Sequence, residues 1–274
     1  MTLEHFVKTQ HLYQIIRRVA TVIALVSLVV LFFGHPWLLI VIVFCIGIYM
    51  YLQDKYDKMA YTFKNNYLKT SIESKYPHIR YDMNKGFTPP EVYGSRLIER
   101  GDIFKSEDML SGKINQTRFR TADVKIQFER PSRSSGRPQI VTRFSGKYYE
   151  IELPFIVKSP IYIVNNGAEK FGIKQGLERV DFEYIDFNNE VDVYSNNKLE
   201  AFKLLKPKAM EAVLSLRKKY GSIAIAFFNK TMVVAMEGRN SFEFYIHRRI
   251  DKHLMDSIQK EIQTLSDLAI AMKD

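Results

Sequence analysis

VATVIALVSLVVLFF (residues 19–33), then Gly34-His35-Pro36, then WLLIVIVFCIGIYMYL (residues 37–52) is the stretch that decides how the chain is read. No Lys, Arg, Asp or Glu lies inside it. As one helix, at ~1.5 Å per residue, it would overshoot a ~30 Å hydrocarbon core. Gly34 can end a helix and Pro36 can open the next at its first turn. The pattern therefore predicts a membrane helical hairpin over 19–52. Each arm is short against the usual ~20 residues. Ile15 and Ile16 lengthen the first arm if Arg17 and Arg18 snorkel. A re-entrant hairpin dipping into one leaflet is the competing reading. Both readings put the two ends of the hairpin on the same side.

Charge says which side. Lys8, Arg17 and Arg18 precede the hairpin, Lys55, Lys58, Lys64 and Lys69 follow it, and the turn has no cation. Positive flanks stay inside, so both termini are expected in the cytoplasm of a multi-pass protein of the cell (inner or plasma) membrane. Arg17, Arg18, Lys55 and Lys58 are the expected residues of the inner interface, and Trp37 that of the outer one. No small-x-small cleavage site follows the first apolar run, which argues against a cleaved signal peptide. The lone Cys45 has no intramolecular partner, as suits a reducing compartment.

The net charge is +10 and the sequence pI about 9.4. A surplus of this kind suits nucleic acid, an anionic membrane surface or plain solvation. No nucleic-acid signature accompanies it, so the expected partner is the bilayer with its anionic headgroups. Self-association or a protein partner stays open. Arg130, Arg133 and Arg137 gather in a polar, proline-bounded loop and are the candidate contacts to anions or lipid.

Outward from the hairpin, residues 1–18 read as a short amphipathic cytoplasmic lead-in. Residues 53–76 keep a helical period through Tyr56, Ala60, Phe63, Tyr67 and Ile72, and Pro77 stops it. This is a stalk helix whose aromatic face needs a partner, either the globular domain or another copy of the chain. Residues 77–247 predict an α+β cytoplasmic domain, mainly an antiparallel sheet with packed helices. A short helix is expected near 91–98. Strands are expected at 109–114, 117–128, 140–144, 148–153, 160–164, 180–185 and 191–194. A helix over 207–220 opens on Pro207 and closes at Tyr220-Gly221. The apolar runs 223–228 and 232–236 flank Asn229-Lys230-Thr231 as a hairpin. Residues 248–274 form a C-terminal amphipathic helix. Its apolar stripe is Ile250, Leu254, Ile258, Ile262, Leu265, Ala269 and Met272, with Lys252, Asp256, Lys260, Glu261 and Asp267 on the other face.

Several stretches in this order resemble the DUF3137 family of uncharacterised bacterial membrane proteins. They are Asn84-Lys85-Gly86-Phe87 with Pro90-Glu91, Glu107-Asp108-Met109-Leu110-Ser111-Gly112-Lys113, and Thr117-Arg118-Phe119 running to Asp123-Val124. Phe144-Ser145-Gly146-Lys147-Tyr148-Tyr149 and Val193-Tyr194-Ser195 follow, leading to Glu200-Ala201, Leu204-Leu205-Lys206-Pro207 and Met210. The resemblance covers roughly residues 60–245 and implies two N-terminal membrane helices before a cytoplasmic mixed domain. It implies no catalytic residue.

Motifs for chemistry are sparse. None of the six histidines forms a metal-binding pair, and one cysteine builds no thiolate site. No cofactor is implied. Ser111-Gly112-Lys113 and Ser145-Gly146-Lys147 lack the earlier glycine and the following Ser or Thr of a phosphate loop, and read as β-turns. Asp102, Glu107 and Asp108 form the one carboxylate cluster suited to acid–base work. The sequence thus favours a membrane-anchored binding or scaffold module over its alternative, a membrane-bound enzyme acting on a phosphorylated or lipid-derived substrate.

Overall fold

In a computed structural model the described residues are 2–31, 33–114, 117–131, 138–167, 171, 176–238, 242 and 254–272. The described residues divide into two compact units, one within residues 2–75 and the other within residues 76–242 and 255–272.

The first unit is a helical hairpin. α1 (Leu3–Leu31) and α2 (Leu38–Thr62) meet at a short connection in which Gly34 takes φ 91°, a left-handed value that glycine adopts at little cost. α2 runs on through a π-helical turn, Phe63–Leu68, into α3 (Lys69–Lys75). Both α1 and the α2–α3 run are long and apolar enough to cross a membrane. Ala20 and Ser27 are buried on α1, and Leu38, Cys45 and Leu52 on α2. Each set recurs every seven residues, the period of a two-helix seam, and the small residues let the backbones approach. Val22, Leu25, Val29, Ile40, Val43, Phe44 and Met50 point outward, leaving the hairpin apolar around most of its surface.

The expected lead-in is no separate element but the first half of α1. Its Phe6 is fully buried, 4.3 Å from Phe63 and 6.0 Å from Tyr56 between ring centroids. Gln10 Nε2 donates to Tyr56 Oη at 3.3 Å. The aromatic stripe of residues 53–67 thus finds its partner in the chain's own start.

The second unit is an open, antiparallel seven-stranded sheet with packed helices. β1 (Ile79–Asp82), β2 (Ile103–Ile114), β3 (Thr117–Arg130) and β4 (Gln139–Asn165) are neighbours in that order. The three separate strands expected within 140–164 are one strand, β4, irregular between Glu152 and Ile161. β5 (Glu178–Arg179) pairs β6 (Val191–Ser195), and β6 pairs the far half of β4. β7 (Ile223–Glu237) lies along β4 from Gly146 to Val164. The expected hairpin at 229–231 is absent. Asn229, at φ 53°, sits opposite Val157 where β4 is irregular, and the strand continues past it. Residues 180–185 are no strand either. Asn188 bonds both the N–H and the C=O of Phe182, and residues 185–190 become a short helix.

The helices of this unit are α4 (Pro89–Gly94), α5 (Ile185–Glu190), α6 (Lys198–Leu204), α7 (Pro207–Tyr220) and α8 (Leu254–Ala271). Thr88 and Glu91 form a capping box at the start of α4. One sheet face carries Ala122, Val124, Ile126, Phe144, Tyr148, Val233 and Ala235, and is covered by Phe87, Val92, Leu97 and Ile98. The other face carries Lys147 and Tyr149, which meet Glu261 of α8. Ile262, Leu265, Leu268 and Ala269 of that helix and Met272 just past its end are buried, while Ile250 lies outside the described residues.

The two Ser-Gly-Lys motifs are not turns. Gly112 lies in β2 and Gly146 in β4. A methyl group at Gly112 would stand 2.1 Å from His78 O, and one at Gly146 would stand 2.0 Å from Met236 O. The glycines are there because a neighbouring carbonyl passes too close for any side chain.

Candidate functional site

Cross-strand register builds a charged surface at one end of the sheet. Arg80 lies opposite Ser111, Ser111 opposite Arg120, and Arg120 opposite Glu150. One row further out, Lys113 faces Arg118, and Glu152 faces Thr231. Side chains two residues apart share a face, so Lys113, Arg118, Arg120, Glu150 and Glu152 stand together. They line a groove of about 840 Å³, completed by Pro77, His78, Phe119, Ile151 and Lys230.

Part of this charge is already balanced. Arg120 clamps Glu150 with two bonds from Nη2, 2.9 and 2.8 Å, and reaches Glu91 through Nη1 at 2.9 Å. Burial by itself would raise the Glu91 carboxyl. The bonds from the Thr88 N–H, the Thr88 hydroxyl and Arg120 more than offset it and hold Glu91 below its ordinary value. Arg118 approaches Glu152 only to 3.7 Å. Lys113 and Lys230 are exposed, and neither has an ion-pair partner among the described residues. They stand on β2 and β7 with two strands between them, about 14 Å across at ~4.8 Å per strand. The groove can hold an anionic group at either rim.

A second polar cluster is closed to solvent. Lys147 Nζ lies 2.8 Å from Glu261 Oε2, and Tyr149 Oη donates to the same oxygen at 2.7 Å. Burial, then the Glu261 charge, pushes the Tyr149 hydroxyl well above its ordinary value. Asp123 faces Lys147 across β3 and β4. Tyr81 donates to buried Asp108 at 2.5 Å, and burial followed by that carboxylate raises the Tyr81 hydroxyl. These bonds fasten α8 and β1 to their neighbours. Glu261 does not belong to the solvent face of its helix. It stands four residues before Leu265 and seven before Leu268, on the packed stripe, a spacing visible in the sequence.

The expected carboxylate cluster is dispersed. Asp102 accepts from the Glu129 N–H at 2.9 Å, Glu107 pairs with Lys105 at 2.9 Å, and Asp108 is held by Tyr81. Among the described residues no three His, Cys, Asp or Glu side chains gather as a metal site. Arg130 is exposed at the end of β3, and Arg133 and Arg137 lie outside the described residues. In the hairpin, Arg17 stacks on the Tyr49 ring at 3.7 Å and donates to Gln53 at 2.8 Å. Lys58 pairs with Asp54 at 2.8 Å, and Lys55 sits 5.6 Å from the Tyr51 ring. Arg18 is exposed, as is Trp37 at the hairpin connection.

An antiparallel sheet with a charged groove, following two helices apolar enough to cross a membrane, is the class that these features define. A family model matches residues 142–273, that of DUF3137, protein of unknown function. The match bears out the resemblance read from the sequence but starts inside β4, so the motifs between residues 84 and 124 lie outside it. No curated protein matches the chain. The chain is also similar to a crystal structure of the mycobacterial trehalose monomycolate transport factor A, TtfA, at a TM-score of 0.43 and 9% sequence identity. That similarity covers 74% of this chain and 93% of the other, and at this score it carries no weight for function.

Proposed function

We propose that the chain is a membrane-held binding module and that its groove seats an anionic ligand carrying phosphate or carboxylate. The observation that carries this reading is the pair Lys113 and Lys230. Both are exposed and lack an ion-pair partner among the described residues, and they flank a groove in which Arg118 and Arg120 already face carboxylates. Unengaged ammonium groups at the rims of a groove suit recognition of an anion. The hairpin holds the module at the bilayer. Basic flanks on both of its outer ends support a placement in the cell membrane with both termini cytoplasmic. Self-association through the outward apolar faces is compatible with this reading. The dispersal of Asp102, Glu107 and Asp108 removes the sequence motive for an enzyme acting on a phosphorylated or lipid-derived substrate.

The test uses the full chain in neutral detergent, titrated with pyrophosphate and with citrate as probes. Binding is expected, falling at least tenfold in a K113S/K230S variant and unchanged in R130S. Equal affinity in parent and double variant, or no binding of either probe at low salt, would remove the groove from consideration.

A further inference from the structure

We propose that the sheet unit carries its own bilayer-contacting patch, formed by Ile156, Leu199 and Phe202 within a collar of lysines. The proposal rests on the membrane reading of the hairpin and is independent of what the groove binds.

The three side chains are exposed by 63%, 72% and 45%. Leu199, Phe202 and Lys203 recur at the three- and four-residue spacing that places them on one side of α6. Ala201, Leu204 and Leu205 on the opposite side are buried. The patch is rigidly framed. Glu200 accepts from the N–H groups of Lys158 and of Ser159, the latter at 2.8 Å, which ties α6 to β4 two residues beyond Ile156. Asn197 caps the helix through the Glu200 N–H at 3.2 Å, and Ser195 Oγ donates to Pro160 O at 3.0 Å.

Charge then selects the partner. Glu200 is the sole carboxylate of α6, and it is spent on those backbone donors. Around the apolar tips stand the exposed lysines Lys158, Lys198 and Lys203, with Lys198 paired to Glu178 at 3.2 Å. The cores of protein interfaces favour Tyr, Trp, Phe, Met and Arg and are depleted in Lys. Aliphatic and Phe tips ringed by lysine are instead the composition of a surface that rests at the headgroup boundary of an anionic membrane. Phe202 also rests edge-on against buried Phe182 at 5.1 Å. A weak contact suffices, since a hairpin in the same bilayer keeps the patch at high effective concentration.

The experiment keeps the full chain, with Cys45→Ser, in lipid nanodiscs. A polarity-sensitive fluorophore is attached at Leu199→Cys and, as control, at exposed Lys125→Cys. In discs containing phosphatidylglycerol the probe at 199 is expected to shift to the blue relative to detergent. Salt and the substitutions K158E and K203E are expected to reverse the shift, and the probe at 125 should stay unchanged. A chain that co-floats with the discs while the probe at 199 stays unshifted sinks the patch alone. So does a shift of equal size in pure phosphatidylcholine, or one that disappears when each disc holds a single copy, the sign of protein–protein contact. Failure to co-float would overturn the patch and the membrane reading together.

Discussion

Lys147 and Glu261 stand 114 positions apart in the chain and meet at 2.8 Å, both largely withdrawn from solvent. Breaking a buried pair strands one charge, at a typical cost of ~3–5 kcal/mol, whereas replacing both members by apolar groups is often close to neutral. K147M and E261L are each expected to lower the melting temperature substantially, and K147M/E261L together by less than either alone. A double variant that loses the sum of the single losses would show that the two groups act independently.

Gly146 offers a cleaner probe of the sheet. Its missing side chain lets Met236 O pass within 2.0 Å of where a methyl would be. G146A is expected to destabilise by ~1–3 kcal/mol or more, since backbone has to move. Gly94, with nothing within 4 Å of its would-be methyl, is the control. G94A is expected to be neutral or slightly stabilising. Chemical denaturation of the two variants against the parent gives the comparison.

Alkaline pH should loosen the same unit. Burial is the first cause of raised hydroxyls at Tyr81, Tyr148 and Tyr149. A raised folded value means that the stabilising preference is complete below the unfolded value of about 10. It is lost as pH climbs from there toward the folded value, because the unfolded chain ionises first. Stability is therefore expected to fall above about pH 10, with tyrosinate absorbance appearing together with unfolding. Full tyrosinate absorbance in a chain that keeps its structure would show that these hydroxyls are open to solvent.

For the hairpin, thiol labelling in sealed cells separates the two membrane readings. With Cys45→Ser, a cysteine at His35 should react with an impermeant reagent added outside if the hairpin spans, and resist it if the hairpin is re-entrant. A cysteine at exposed Lys58 should resist in either case. Labelling at 58 would place the hairpin's open end outside the cell.

Phe6 makes the start of the chain part of the hairpin. F6A removes a fully buried ring stacked on Phe63, and the expected cost is ~3–5 kcal/mol. It should show as faster amide exchange over residues 3–14 and 53–67. Exchange unchanged in both stretches would mean that the stack holds nothing in place.

Helix ends were legible wherever a local signal fixed them. Pro207 and Gly221 bracket α7, and Gly34 with Pro36 breaks the hairpin. The α+β class followed from the alternation in β2 and β3 and the helical period of α8. What local pattern could not show was continuity. Asn229-Lys230-Thr231 has the composition of a turn, yet β4 supplies partners on both sides of it and the strand runs through. Ser-Gly-Lys reads as a turn because glycine is usually there for its backbone freedom, whereas here it is there for want of volume. The groove was illegible for a related reason. Lys113 and Lys230 are 117 positions apart, and only the register of four strands brings them to one surface. The partner of the stalk was missed because residues 1–18 read as a separate amphipathic lead-in, although Phe6 and Tyr13 sit seven apart, in step with Ala20 and Ser27.

The placement of α8 has a consequence for biosynthesis. The ribosome completes β7 at Glu237 well before it reaches Ala271. At about 5–20 residues per second that interval is roughly two to seven seconds. During it, the sheet face bearing Lys147 and Tyr149 has no α8 upon it. A nascent chain stalled between these points would show an uncovered, partly apolar sheet to chaperones and to other nascent chains. A hairpin already delivered to the bilayer would keep such intermediates apart in two dimensions.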